Sequence, residues 1–378
     1  MKVGYGVTIL ARGVQAGGVD GIGSYTRELG NALVLQGGAQ LVPVSFGVAL
    51  QRQLLKGVPL GKELSDFASS ASVSAVLPLD FRGAKGLKAR INLFHSTDHM
   101  VPRLRGTPVL ATIMDAIPLS HPQWVRQRLR SVKAWLWRRS VSWADHIVTI
   151  SEYSKSEIVT HFRISEKDIS VVPLGVDSRY FMPIDASFRS RVLARYGLPP
   201  HFFLFVGTLQ PRKNLSRLML AHNALPDAYR KECPLVVVGR AGWSCDAEVA
   251  KLAEMEAMGY AYWLDYLPDL EVMALMQSAL ALVFPSLCEG FGLPVLEAFA
   301  SGLPVITSDG TALPEVAGGA ALLVDPEDVE AIADGMQRIL EDASLAMMLR
   351  DKGLVRARQL SWNTCAEQTF SLYQKLIG

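Results

Sequence analysis

Short apolar runs alternate with stretches of helical spacing along nearly the whole chain. Residues 3–10, 40–46, 91–96, 108–114 and 146–150 are apolar runs of strand length, and helices are expected from about residue 24 and over residues 125–143. Runs this short, bounded by turn residues, read as strands buried on both faces of a sheet. The second half repeats the theme at residues 202–207, 235–239, 260–264, 279–284, 304–308 and 321–324. Alternating strand and helix give a doubly wound parallel sheet, so the expected class is α/β with two Rossmann-like domains. Pro173 and Gly175, with Pro183 just beyond, punctuate residues 172–181 and mark the boundary. The last periodic stretch, residues 362–377, reads as a helix with Phe370, Tyr373 and Ile377 on one side.

A length of 378 residues supports the same division, because single cores stop growing below that size. With 49% apolar and 20% charged residues and no low-complexity tract, the chain reads as globular throughout. Its first residues, MKVGYGVTIL, read as a strand and not as a signal peptide. No apolar run approaches the roughly 18 to 20 residues that span a bilayer, which argues against an integral membrane protein. Cys233, Cys245, Cys288 and Cys365 are scattered without C-x-x-C spacing, so no disulfide framework or zinc site is indicated and a cytoplasmic location is expected. The net charge of +2 conceals an asymmetry. Residues 1–175 carry 21 Lys and Arg against 12 Asp and Glu, whereas residues 176–378 carry 17 against 24. A basic first half implies an acidic partner, whether phosphate, anionic lipid or nucleic acid.

The candidate chemistry is densest in residues 285–300, PSLCEGFGLPVLEAFA. Gly290 and Gly292 permit a tight turn, and Pro294 suits the first turn of a helix. Glu289 then lies in a strand-to-helix loop, and Glu297 lies one turn into the helix, leaning back toward that loop. Both carboxylates are expected to face one crevice at the carboxyl end of a strand, where open α/β sheets bind ligands. Glu297 alone could answer the helix dipole, but Glu289 and the glycines need another reason. Arg212 and Lys213 follow the run that ends at Gly207 and precede Asn214, an expected N-cap for LSRLMLAH. Two cations beside a helix N-terminus suit a diphosphate; the plainer reading is a solvated basic turn. Gly17, Gly18, Gly21 and Gly23 form a glycine-rich loop after the first strand, able to bring N–H groups to a phosphate or sugar hydroxyl. Its spacing is not G-x-G-x-x-G, which argues against a dinucleotide.

These residues carry a resemblance. Residues 285–300 resemble the E-x7-E motif of retaining GT-B glycosyltransferases, and with FVGTLQPRKNL (205–215), PLGVD (173–177) and residues 301–336 the chain resembles glycosyltransferase family 4 over nearly its whole length. Its overall character resembles mannosyltransferases of bacterial surface-polysaccharide assembly, lipopolysaccharide included. The resemblance implies two Rossmann-like domains facing a central cleft. Residues 1–175 would take the acceptor, residues 176–360 the nucleotide sugar, and a last helix, 361–378, would cross back to the first domain.

The same resemblance assigns roles. Arg212 and Lys213 would hold the donor pyrophosphate and neutralise it as it leaves, Glu297 would bond the ribose, and Glu289 the transferred sugar. Gly290, Phe291, Gly292 and Leu293 would offer backbone N–H groups, and Gly21, Gly23 and Gly207 would complete the donor site. Asp115 remains from the family's His-Asp pair and would serve the acceptor side, although it could equally be a turn residue. Met114 stands where that pair has its histidine, and His99 or His121 is a candidate replacement. Cleavage and attack would occur on one face of the sugar, with the departing phosphate taking the acceptor proton. There is no D-x-D triplet, so neither a metal nor another cofactor is expected. The implied partners are a nucleoside-diphosphate sugar, with GDP-mannose as first choice, and a lipid-linked or oligosaccharide acceptor. A GT-B sugar-nucleotide epimerase, a UDP- or dTDP-sugar-dependent transferase and a non-catalytic membrane scaffold are the competing readings.

Residues 124–143 add a surface feature. Trp124, Arg128, Lys133, Trp135, Arg138 and Arg139 surround an apolar stripe of Val125, Leu129, Val132 and Leu136. The plain reading is a core helix with a solvated basic face. The functional one is a peripheral site on the anionic inner face of the plasma membrane. Nucleic acid is not an expected partner, because no recognition motif accompanies the charge.

Overall fold

The computed structural model describes residues 1–50, 53–124 and 130–378. The chain divides into two compact units, Met1–Gly175 with Leu360–Gly378, and Val176–Gln359. In the first unit the strands are β1 (Lys2–Gly6), β2 (Gln40–Phe46), β3 (Lys62–Leu64), β4 (Leu93–Ser96), β5 (Val109–Thr112), β6 (His146–Thr149) and β7 (Ile169–Val171). They form one sheet in the order β3-β2-β1-β4-β5-β6-β7. Every pairing is parallel. Leu93, Phe94, Leu110 and Ala111 are inaccessible to solvent, as expected of strands covered on both faces.

Three details depart from the pattern reading. The first strand ends at Gly6, and residues expected to continue it form a helix, Thr8–Gln15. Asp98 Oδ2, at the end of β4, accepts from the Thr8 and Ile9 N–H groups at 2.9 and 3.3 Å and so starts that helix from a distant part of the sequence. The strands β3 and β7, three residues each, lie at the two sheet edges and are too short to stand out: β3 is Lys-Glu-Leu, and β7 is Ile-Ser-Val running into the boundary segment. The glycine-rich loop is shorter than expected, because a helix already starts at Gly21 and runs to Gln36.

Of the basic aromatic segment, Arg130–Val141 is helical. Val125, Leu129 and Arg128 lie outside the described residues. Leu136 and Trp137 pack on the core, but Val132 and Trp135 are 58% and 51% exposed, so the expected stripe does not form one buried seam. No described helix is long and apolar enough to cross a membrane.

The helix Trp362–Ile377 belongs to this unit and packs along Gly21–Gln36. It is fastened by a buried polar chain. Tyr373 Oη lies 2.6 Å from His95 Nδ1, His95 Nε2 lies 2.7 Å from Thr112 Oγ1, and that hydroxyl lies 2.8 Å from Tyr25 Oη.

The second unit has β8 (Phe203–Val206), β9 (Leu235–Val238), β10 (Ala261–Leu264), β11 (Ala281–Phe284), β12 (Val305–Ser308) and β13 (Leu322–Val324), in the order β10-β9-β8-β11-β12-β13. All are parallel. Strand order reverses between β1 and β4 in one unit and between β8 and β11 in the other. At such a reversal the flanking connections leave toward opposite faces and open a crevice at the carboxyl ends of the strands.

Candidate active site

The crevice between β8 and β11 holds the main polar cluster. β8 leads into Gly207, whose φ of 154° suits glycine and whose missing side chain leaves room beside the Lys213 stem. The chain then makes a short turn, Pro211–Lys213, and reaches Asn214 with φ 60°. Asn214 precedes the helix Leu215–Ala224, but its side chain does not cap it. Its Nδ2 instead donates to the carbonyls of Pro285 and Pro326 at 2.9 and 2.6 Å, and the Leu287 N–H donates to the Arg212 carbonyl at 2.8 Å. The loop after β8 is therefore stitched to the loop after β11.

This stitching brings Arg212 and Lys213 onto Glu289. Arg212 Nη1 donates to Glu289 Oε2 at 2.7 Å and to the Cys288 carbonyl at 3.1 Å. Lys213 Nζ donates to Glu289 Oε1 at 2.6 Å and lies 4.6 Å from the centroid of the Phe284 ring. Lys213 and Glu289 are both buried. Burial pushes the Glu289 carboxyl upward, but the charges of Lys213 and Arg212 outweigh it and hold the group at about 2. Burial pushes Lys213 down to about 8 against the opposing pull of Glu289. Two cations share one carboxylate, so the pocket keeps a net positive charge.

After Glu289, whose N–H donates to Thr311 Oγ1 at 3.3 Å, Gly290 and the buried Phe291 lead to Gly292 with φ 110°. That backbone conformation calls for glycine, and a Cβ there would also have to displace Leu313 Cδ2, 2.6 Å away. Leu293 then opens the helix Leu293–Ala300, with proline in its first turn. The Val295 and Leu296 N–H groups donate back to the Gly292 carbonyl at 3.0 and 3.4 Å, and Pro294 has no N–H to satisfy, so this short helix start is closed on itself.

Glu297, expected beside Glu289, has a different environment. Its helix packs against the turn Ser178–Phe181, and its electrostatic neighbours are Asp269, Asp177 and the Tyr180 hydroxyl. Burial, followed by the charge of Asp269, pushes Glu297 up to about 7, and the hydrogen bond from Tyr180 opposes that rise. Arg179 Nη2 meets Asp177 at 2.7 Å and Asp269 at 3.5 Å. Tyr180, Asp177 and Asp269 were not singled out by sequence reasoning. In the sequence, residues 172–181 mark the boundary and their PLGVD carries part of the resemblance, but nothing in them assigns Asp177 or Tyr180 to the surroundings of Glu297.

In the first unit, Gly21 and Gly23 lie in the first turn of their helix. The Gly23 N–H is already taken by Asp20 Oδ1 at 2.8 Å, and a Cβ would fall 2.6 Å from Val19 Cγ1, so this glycine serves capping and packing. Asp115 Oδ1 accepts from the Ile117 N–H at 3.1 Å, which makes the turn role real. Met114 is buried, and its N–H donates to His99 Nε2 at 3.3 Å. His121 stacks on Trp124, with centroids 4.4 Å apart, and its Nδ1 bonds Ser120 Oγ at 2.9 Å.

Two parallel-sheet Rossmann-like units, one with paired cations and glutamates at its switch point, are the features of GT-B glycosyltransferases. Residues 195–355 match the model of glycosyl transferases group 1, and residues 19–180 that of glycosyltransferase family 4. O-antigen chain mannosyltransferase B of Escherichia coli is 36% identical over 260 residues, which cover 68% of this chain and 67% of that protein. MMP alpha-(1->4)-mannosyltransferase of Mycolicibacterium hassiacum is 32% identical over 288 residues, 72% of this chain and 66% of that one. Among solved structures, Anabaena Alr3699/HepE in complex with UDP and glucose superposes with a TM-score of 0.74 at 16% identity, covering 100% of each chain. The chain belongs to this glycosyltransferase family, with group 1 and family 4 domains. The matched stretches span about two thirds of the two mannosyltransferases' own lengths.

Proposed function

We propose that this glycosyltransferase is a retaining, metal-independent mannosyltransferase. It would carry mannose from GDP-mannose to a lipid-linked or oligosaccharide acceptor in cell-surface polysaccharide synthesis. The observation that carries the reading is the Arg212–Lys213–Glu289 cluster at the β8/β11 switch point. An anion site of net positive charge, walled by buried side chains, suits a diphosphate leaving group, because charge in a water-poor site is stabilised strongly. The choice of mannose is supported by the names of the two relatives.

In this reading the donor diphosphate takes the place of Glu289 on the two cations and frees that carboxylate for the transferred sugar. Glu297 then accepts from the ribose hydroxyls, with Tyr180 beside it. The acceptor belongs to the first unit. Trp124, Lys133, Trp135, Arg138 and Arg139 there favour an anionic membrane surface at the cytoplasmic face, each cation contributing about 1 kcal/mol near such lipid.

The test is turnover of purified protein on a panel of GDP-, UDP- and dTDP-sugars with glycan and lipid-linked acceptors, in EDTA. GDP release that needs both GDP-mannose and an acceptor, with an α-linked product by NMR, agrees with the reading. A strict metal requirement, an inverted anomeric centre or preference for another donor would each contradict its corresponding part. Co-sedimentation with anionic but not neutral vesicles tests the membrane site.

A further inference from the structure

At the carboxyl edge of the first sheet, an imidazole is held in one fixed geometry by its surroundings. His99 follows β4, three residues after Ser96, and its backbone has φ 62°. A residue with a side chain adopts that left-handed conformation at a cost of about 1 kcal/mol, and it persists where the surroundings impose it. Here they do. The neighbouring Asp98 is buried and accepts from Thr8 and Ile9 on one side and from the Met100 N–H on the other. The ring is fixed as well. It stacks on Trp137 with centroids 5.6 Å apart and planes 15° apart, and Trp137 is itself braced edge-on by Phe162 at 4.8 Å.

The hydrogen bonding then selects one tautomer. The Met114 N–H, beyond the end of the adjacent parallel strand β5, donates to His99 Nε2, so the neutral ring carries its proton on Nδ1. Among the described residues none bonds Nδ1. Burial lowers the imidazole's pKa, while the charges of Asp115 and Asp20 oppose the fall. The result is an oriented, neutral N–H donor with two carboxylates in its field, beside the β1/β4 switch point.

We infer that His99 is a substrate-contacting residue whose Nδ1–H donates to a sugar hydroxyl at the carboxyl edge of the first unit's sheet. A sugar hydroxyl fits because it accepts from the imidazole and can in turn donate to a carboxylate such as Asp115 or Asp20. Met114 has no side-chain donor for this task and serves through its backbone. The inference rests on the glycosyltransfer reading and names one contact within it.

Two variants test it without forcing the backbone, since glycine and asparagine both tolerate the left-handed region. His99→Gly removes the donor, whereas His99→Asn places an amide N–H near the position of Nδ1. With a donor and acceptor that the wild type turns over, His99→Gly is expected to lower kcat/KM about 100-fold. His99→Asn should recover at least tenfold of that loss, and affinity for GDP alone should stay unchanged in both. A rise in acceptor KM would identify the acceptor as the source of the hydroxyl, and a rise in donor KM would identify the donor sugar. Unchanged turnover in His99→Gly overturns the inference. So does an equal loss in both variants that tracks a fall in Tm. If the wild type transfers no sugar at all, the functional reading falls first, and that outcome is distinct from either of these.

Discussion

The Lys213 ammonium lies 2.6 Å from Glu289 Oε1, with both groups buried at the ends of the neighbouring parallel strands β8 and β11. Arg212 closes the other oxygen of the same carboxylate at 2.7 Å. Glu289 serves as the internal counter-ion of both cations. Glu289→Gln should therefore destabilise the second unit by about 3 kcal/mol, because a buried ammonium loses its partner. GDP supplies a replacement anion. The rise in Tm on adding GDP should accordingly be larger in the variant than in the wild type, and an equal rise would contradict the counter-ion role.

Lys213 predicts a limit at alkaline pH. Burial pushes it down to about 8, so in the free protein it loses its proton as pH rises through that value. Nucleoside-diphosphate affinity should fall over the same interval, since the neutral amine no longer attracts the phosphates. Lys213→Ala should lower kcat by about 100- to 1,000-fold and remove the alkaline limb. Affinity for GDP measured from pH 7 to 10 in both proteins checks this.

The parts of this molecule that could be read from sequence are those whose cause is local. A strand covered on both faces must be an apolar run, so the longer strands of both sheets are visible in pattern alone. The two edge strands of the first sheet, three residues each, are too short to stand out, Lys62–Leu64 being mostly charged and Ile169–Val171 having a serine at its centre. The helix Thr8–Gln15 escaped notice because the carboxylate that starts it, on Asp98, is 90 residues from Thr8. Within the candidate site, Arg212, Lys213 and Glu289 were legible because each sits next to a glycine- or proline-marked strand end. The work of Asn214 depends on carbonyls at Pro285 and Pro326, and the surroundings of Glu297 on Tyr180 and Asp269. Those relations arise only when separate loops meet.

Glu297 predicts a slope in stability near neutrality. Its pKa is raised from 4.5 to about 7, so the folded protein holds this proton more tightly than the unfolded chain. Its contribution is fully present below 4.5 and is lost as pH rises through about 7. Glu289 has the opposite sign and acts lower, losing its contribution as pH falls from 4.5 toward about 2, so the two windows do not overlap. Urea midpoints between pH 5 and 8 should fall in the wild type and stay flatter in Glu297→Gln. If ribose binding needs the ionised carboxylate, GDP binding below pH 7 should also release a proton. Calorimetry in buffers of different ionisation enthalpy measures that release, which should vanish in the variant.

The Tyr373–His95 contact separates docking of the last helix from nucleotide chemistry. Tyr373 and His95 are both fully buried, and burial drives the imidazole down to about 3, so the ring is neutral at every working pH. One ring nitrogen faces Tyr373 Oη and the other faces Thr112, which uses the full capacity of a neutral imidazole. Tyr373→Phe leaves His95 Nδ1 without a partner inside the core, where an unsatisfied group costs about 1 to 3 kcal/mol. The first unit should become less stable by that amount and the helix Trp362–Ile377 should exchange its amide hydrogens faster, because its anchor to β4 is gone. GDP affinity should be unchanged, since every cation and glutamate proposed to hold the nucleotide belongs to Val176–Gln359. Hydrogen exchange with and without GDP distinguishes the two effects: a Tyr373→Phe protein with normal exchange in that helix, or with weakened GDP binding, would contradict this division of labour.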